Sequence, residues 1–587
     1  MLELYRLIKA VAFVLINTWG LTANPVIGQI PSLVEGWPYK SATLQFAVET
    51  TVRFDTSGGL LNSSLFFGTM TGEIHRRYFD CTPFPGWPIV ADTLLFGTTP
   101  TLFDIDHDGQ LEMLIMGTRR ISGYAYSLIF LFDDNGEVMS GFPINMQRPL
   151  GLSAADIDCD GEYEIITYSV DENLISCFDR YGINKPGWPI DIPYDLDGGT
   201  SRGGGAAIGD IDLDGKNDYV VAGSYHIYAF RFDGSVIESY PINISDSNYV
   251  FNQWGWPPTL GDIDSDGFPE ILISGGNWVP GNPHSSFIAI YEHDGAIKEG
   301  WPIYYQNEHI TFCPIPSDIN NDGQVEIGFM TSQLHFVDLA GMELPGWPKS
   351  LGRTIWSDLV MADIDGDNNL EIFSDFNAIF ADSMGQDSNW YYGHSLLFAM
   401  DYLGNDLPGY PIEVNGEYLE RPPTFAYDAE THRLYMALCS DMELSPFYDA
   451  DTLYFDLYVF PDSTGPPDQW PMLDHDNLHT RNYNFVDNVI AINDGEPIIP
   501  GNYALMQNYP NPFNSSTIIE FDLPREEIVN LSVYDILGRK VAEPLKDKLV
   551  PGRYSRRIEL VGKSSGIYYC VLATEKMQIG RKMILLK

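Results

Sequence analysis

The chain has 587 residues, with 33 Lys and Arg against 81 Asp and Glu, and carries a formal net charge of −48. A surface this acidic repels DNA, RNA and anionic lipid, so nucleic acid is excluded as a natural partner. Hydrophobic residues at 44% and aromatic residues at 13% supply a real core, which excludes a disordered chain.

The N-terminus comes first. Arg6 and Lys9 precede a short apolar stretch, AVAFVLI, and the small residues Ala23 and Gly28 follow. This pattern predicts a secretory signal peptide over residues 1–28, cleaved on export. The stretch is too short to span a bilayer, and no other segment reaches 18 apolar residues. An integral membrane protein is therefore not expected. The six cysteines (Cys81, Cys159, Cys177, Cys313, Cys439, Cys570) are scattered without a C-x-x-C pair, so most are expected to be free and partly buried.

From residue 36 onward an aromatic-Pro triplet recurs. It reads Gly-Trp-Pro, or a close variant, at Gly36, Gly86, Gly141, Gly187, Ser239, Gly300, Gly346, Gly409 and Gln469. Nine triplets bound eight intervals. The six middle intervals each hold a nine-residue acidic loop followed by an apolar run: DIDHDGQLE, DIDCDGEYE, DIDLDGKND, DIDSDGFPE, DINNDGQVE and DIDGDNNLE. The first and last intervals hold degraded versions, RFDTSGG and AYDAETHR.

Side chains at loop positions 1, 3, 5 and 9, with the position 7 backbone carbonyl, can converge on one centre. The candidate ligands are Asp104, Asp106, Asp108, Gln110 and Glu112 in the first loop, and Asp156, Asp158, Asp160, Glu162 and Glu164 in the second. Asp210, Asp212, Asp214, Lys216 and Asp218 form the third, and Asp262, Asp264, Asp266, Phe268 and Glu270 the fourth. Asp318, Asn320, Asp322, Gln324 and Glu326 form the fifth, and Asp363, Asp365, Asp367, Asn369 and Glu371 the sixth. An all-oxygen set of this kind suits Ca²⁺. Gly at position 6 permits the sharp turn; Asn368 replaces it in the last copy, and Asn also tolerates the left-handed region. An EF-hand is excluded, because that loop needs Glu at position 12 and helical flanks. Position 12 here is Ile115, Thr167, Val221, Ile273, Phe329 and Ser374, and the flanks are strand-like. Six copies imply about six calcium ions that staple a repeated fold.

Within each interval the expected order is a short strand, the acidic loop, a second strand, an alternating third strand such as IYAFRFDG, an Asp/Gly turn and a fourth strand ending at the aromatic-Pro pair. Four strands per roughly 50 residues, repeated, is the pattern of a β-propeller. The triplet aromatics are expected to wedge between blades. The D-x-D-x-D-G loops between strands resemble FG-GAP or VCBS-type repeats, similar to the propeller of integrin α subunits, over residues 36–483. The resemblance implies a calcium-bearing propeller. Integrin-like propellers have seven blades whereas the intervals here number eight, so seven and eight both stay open. WPMLDHDNLHTRNY resembles a propeller-closing segment; its His475 and His479 are read as packing rather than a metal pair.

After Tyr483 the pattern stops. Residues 484–502 read as a linker rich in Pro and Gly. Residues 503–587 contain QNYPNPFN, VNLSVYDILGRKV and a basic-apolar end with Arg581, Lys582 and Met583. Short alternating strands predict a small β-sandwich. The segment resembles the C-terminal sorting domain of the type IX secretion system of Bacteroidetes-type bacteria. That implies the type IX machinery as a partner, and release or attachment at the outer surface.

No nucleophile elbow stands in a strand-to-helix context, and no H-E-x-x-H occurs; Gly562 to Gly566 matches G-x-S-x-G only by letters. The fold class expected is all-β, a seven- or eight-bladed propeller followed by a small sandwich. The function expected is a secreted binding or adhesion module for polysaccharide or protein. The alternative is a lyase-like polysaccharide-degrading enzyme, whose acidic-sugar cleft needs a basic cluster; none shows in the sequence, so no catalytic residue is assigned.

Overall fold

The computed structural model describes residues 31–43, most of 53–460 and most of 503–585. The signal peptide, the closing segment with His475 and His479, the triplet at Gln469, the linker and most of the two degraded loops lie outside the described residues. Among the described residues every regular element is a β-strand. No helix there is long and apolar enough to cross a membrane.

Among the described residues, eight small antiparallel sheets follow one another between residues 32 and 459, and two more lie between 504 and 585. The second sheet shows the plan. Its strands are Thr101–Phe103, Glu112–Ile121, Tyr124–Phe132 and Ile144–Met146, each paired antiparallel with its chain neighbour. The acidic loop joins the first strand to the second. The second strands read as continuous apolar runs because both faces are covered. Met113 and Ile115 enter the core shared with the first sheet, beside Phe66 and Trp87. Leu114, between them, enters the core shared with the third sheet, beside Ala154 and Ile165. The period of two that would set core against solvent in a one-sided sheet here sets one core against the next.

The same packing links each sheet to its successor, as far as Phe373 of the seventh against Phe425 and Met436 of the eighth. The eighth sheet then packs on the first, Phe455 and Leu457 lying with Leu65 and Phe67. Its outer edge comes from the N-terminus: Ser32–Leu33 pairs with Tyr458 and Val459, and Tyr39–Thr43 pairs with 451–455. The triplet at Gly36 therefore belongs to the last sheet and not to an interval of its own.

One expectation needs correcting. The fourth strand does not end at the aromatic-Pro pair but begins after it, as in Ile89–Val90, Ile144–Met146 and Ile190–Asp191. Before the pair the chain touches the third strand only through single bridges, such as Phe132 with Val138 and Phe178 with Asn184. Proline has no N–H for a ladder, and the triplet glycine takes a positive φ, +93° at Gly187. The ladder breaks there and resumes at the residue after the proline.

The triplet aromatics sit between sheets, as expected. The Trp188 indole Nε1 donates to the Phe232 carbonyl of the next sheet at 2.8 Å. Trp37, Trp87, Trp301 and Trp347 make equivalent bonds to Phe79, Asp134, Leu339 and Tyr402 at 2.8 to 3.0 Å. The Tyr240 hydroxyl reaches His293 O at 3.2 Å. The preceding glycine lets the two backbones meet: a Cβ on Gly36 would lie 2.6 Å from Asp80 O, and one on Gly187 would overlap Asp233 O. None of the six cysteines is in a disulfide.

In the tail, Ala504–Leu505, Ser516–Leu523 and Gly552–Glu559 form one sheet, and Lys540–Leu549, Glu527–Asp535, Gly566–Ala573 and Gln578–Leu585 form the other. Ile519 and Phe521 of the first share a core with Val529, Leu531, Cys570 and Leu572 of the second.

Candidate metal centres in the repeated loops

Each acidic loop is wound by its own backbone. The position 9 carboxylate accepts from the position 2 N–H in all six: Glu112 from Ile105, Glu164 from Ile157, Asp218 from Ile211, Glu270 from Ile263, Glu326 from Ile319 and Glu371 from Ile364, at 2.8 to 3.0 Å. In the first five loops the position 1 carboxylate accepts from the position 6 glycine at 2.9 to 3.1 Å. The position 5 carboxylate accepts from the position 7 N–H in all six, from Gln110, Glu162, Lys216, Phe268, Gln324 and Asn369. The glycines have positive φ, as the sequence requires, from +83° at Gly109 to +100° at Gly267. Position 4 does as well, although it holds His107, Cys159, Leu213, Ser265 and Asn321. Of these only His107 and Asn321 are types that favour that region, so the position as a whole does not announce it.

The winding gathers carboxylates. Asp104, Asp106 and Asp108 bring ligand oxygens within 4.8 Å of one another; so do Asp156, Asp158 and Glu164, then Asp210, Asp212 and Asp218, then Asp262, Asp264 and Glu270. Any of these groups could hold a metal ion. Burial, reinforced by neighbouring carboxylates, pushes the position 9 acids far up: Glu112 and Glu371 to about 9, and Asp218, Glu270 and Glu326 to about 8. Glu164 rises least, to about 7, because Lys185 partly offsets its burial. In the loop at Asp210, buried Oδ1 atoms of Asp210 and Asp218 have no hydrogen-bond donor, and Asp218 is 0% exposed. A polar atom is not left buried in this way without cost, and a hard cation between these oxygens would satisfy them.

Cations from other elements enter three loops, and the sequence reading missed them. Lys185 Nζ lies 3.0 Å from Asp158 and 2.7 Å from Glu164. Lys298 Nζ lies 2.7 Å from Asp264, 3.5 Å from Glu270 and 3.0 Å from Glu292. Arg231 holds Asp212 Oδ2 at 2.6 Å. Aligning the repeats on the triplet would have exposed both lysines. They stand two residues before its first residue, where the other copies carry Val34, Phe84, Met139, Ile237, Leu344, Leu407 and Pro467.

Residues 210–273 match the FG-GAP-like repeat family, and residues 507–586 match the secretion system C-terminal sorting domain family. The chain carries FG-GAP-like repeats and a type IX secretion sorting tail. It is a secreted or outer-surface protein, addressed by that tail. Among solved structures, the Vibrio cholerae biofilm matrix protein Bap1 aligns at 12% identity over 79% of this chain and 98% of that one, with a TM-score of 0.48. PorZ, a bacterial surface component of the type IX secretion system of Porphyromonas gingivalis, aligns at 11% over 92% and 93%, with a TM-score of 0.15. The exo-β-1,3-galactanase of Phanerochaete chrysosporium aligns at 11% over 96% and 100%, with a TM-score of 0.23. These similarities assign no activity to the FG-GAP-repeat chain. No curated protein matches it in sequence.

Proposed function

We propose that the FG-GAP-repeat body is an eight-bladed, calcium-stapled β-propeller that serves, after export by its sorting tail, as a binding or adhesion module for an extracellular polysaccharide or protein. Supporting eight blades over seven are the eight consecutive sheets and the packing of the last on the first. The observation that carries the binding reading is the sameness of the loops. All six bury their position 9 carboxylate and tie it to the same backbone N–H. A feature repeated in successive sheets supports the fold and does not single out one catalytic centre. When bound, calcium would be held by the position 1, 3, 5 and 9 side chains and would neutralise carboxylates that otherwise repel.

Four basic side chains among the described residues are engaged away from any cleft. Lys185, Lys298 and Arg231 sit in acidic loops, and Arg76 lies over the Phe66 and Phe84 rings. The test is a glycan array probed with calcium-loaded protein, beside an activity screen on acidic polysaccharides. Retention on one glycan class with the polymer left intact is expected. Unsaturated or shortened products would overturn the binding reading in favour of an enzyme.

A further inference from the structure

Resting on the calcium reading of the loops, we propose that the six are not equivalent: Lys185 and Lys298 are built-in cations that take the place of calcium in the loops at Asp156 and Asp262, so the protein binds four calcium ions and not six. Both lysines enter from outside the loop, from the segment that follows the third strand of the same sheet. Their backbone is in register with the apolar residues of other sheets: the N–H of Lys185 bonds to Cys177 O and that of Lys298 to Ile290 O, as Met139 bonds to Leu131 O and Leu344 to Phe336 O. Only the side chain differs. In the other copies it adds to an apolar core. In these two it carries an ammonium to the carboxylates of positions 3 and 9, which a metal would need.

The distances support replacement rather than casual proximity. Lys185 Nζ bridges Asp158 and Glu164 at 3.0 and 2.7 Å. Lys298 Nζ reaches Asp264, Glu270 and Glu292 together, and Glu292 is an extra carboxylate that rewards the amine. Both side chains are largely buried, at 18% and 12% exposure, so neither swings freely into solvent. An ammonium tethered to its own chain acts at high effective concentration. A calcium ion entering the same oxygens would face its repulsion at close range. Ca²⁺ asks for six to eight oxygens, and two of the best are already spoken for. Arg231 is a different case. Its guanidinium holds only Asp212 Oδ2, and the buried Asp210 and Asp218 oxygens remain without donors. That loop is counted with the calcium-binding four.

Calcium per chain, counted by native mass spectrometry and by metal analysis of dialysed full-length protein, tests this. Four ions are expected in the unaltered chain, five in Lys185→Met or Lys298→Met, and six in the double variant. Each variant is purified in calcium, since it leaves Glu164 or Glu270 without its ammonium. The converse variant, Leu344→Lys, leaves every loop residue unchanged and should lower the count to three by placing an amine at the loop of Asp318. A count of six in the unaltered chain overturns the proposal and leaves the calcium reading standing. A count of zero overturns both. An unchanged count of four in Leu344→Lys, or in folded double variant, shows that the amine does not compete and also overturns it.

Discussion

The body and the tail are both built from small antiparallel sheets, but they close in opposite ways. Each body sheet buries both faces against two neighbours, so successive residues of an inner strand can all be apolar and buried, as Met113, Leu114 and Ile115 are. Each tail sheet buries one face, and its strands alternate: in Gly566–Ala573 the residues Tyr568, Cys570 and Leu572 point inward while Ile567, Tyr569 and Val571 are more open. The body needs devices that the tail does without. Glycine-aromatic-proline triplets let neighbouring sheets approach, and wound acidic loops fix the hairpins. The tail closes its core with two sheets alone. Repetition makes the body dependent on its neighbour contacts, whereas pairing makes the tail self-sufficient.

Stripping calcium should separate the two regions most. Chelation should lower the melting temperature of the body by many degrees, since an ion that binds only the folded state adds to its stability, and should leave the tail's transition in place. Differential scanning calorimetry reads this, and an unmoved body transition after verified metal removal would break the comparison. Trp188→Ala comes next. It removes a nearly buried ring and its bond to Phe232 O, at a cost of about 3–5 kcal/mol, read by denaturant unfolding. A loss under about 1 kcal/mol would mean that the triplet aromatics decorate the sheets rather than join them.

A smaller effect concerns pH in the calcium-free protein. The position 9 carboxylates have folded pKa values raised from the ordinary carboxylate range to between about 7 at Glu164 and about 9 at Glu112 and Glu371. Between about pH 4.5 and those values the folded state keeps protons that the unfolded chain has released, so stability falls as pH rises. The calcium-free body should melt higher at pH 5 than at pH 8, and calcium should remove the difference. A calcium-free melting temperature that climbs with pH would contradict this. The smallest effect expected is none. Deleting residues 503–587 should leave the body's melting and calcium count unchanged while the protein accumulates inside the outer membrane. Unfolding of the truncated body would mean that the tail is one of its packing elements, and its appearance at the cell surface would remove the tail's role as address.

Much of this was legible in the residues. The loops announce themselves because six copies share spacing, and a shared period leaves little room for another fold. The winding of the loops follows from Gly at position 6. Other features were hidden for identifiable reasons. The lysines lie some 21 to 34 residues from the loop carboxylates they meet, so no local motif contains them. The aromatic-Pro pair looks like the end marker of a strand, whereas it is a break within one edge. Left-handed Cys159 and Leu213 are imposed by the loop around them and run against local preference. The partner of Tyr39–Thr43 could not be read at all, because antiparallel pairing over such a separation leaves no periodic trace.

That partnership has a consequence for how the molecule is made. Tyr39–Thr43 leaves the ribosome among the first residues of the body, yet its partner, Asp451–Val459, is among the last. Until then the early strand has no mate and the first sheet keeps an uncovered side. A nascent or partly exported chain therefore stays open along one seam, and loop-closure entropy opposes the joining of such distant segments only weakly more than of nearer ones. Completion is a single late event, and any product cut short before residue 451 leaves Tyr39–Thr43 and Arg433–Met442 without the strand that pairs both in the finished molecule.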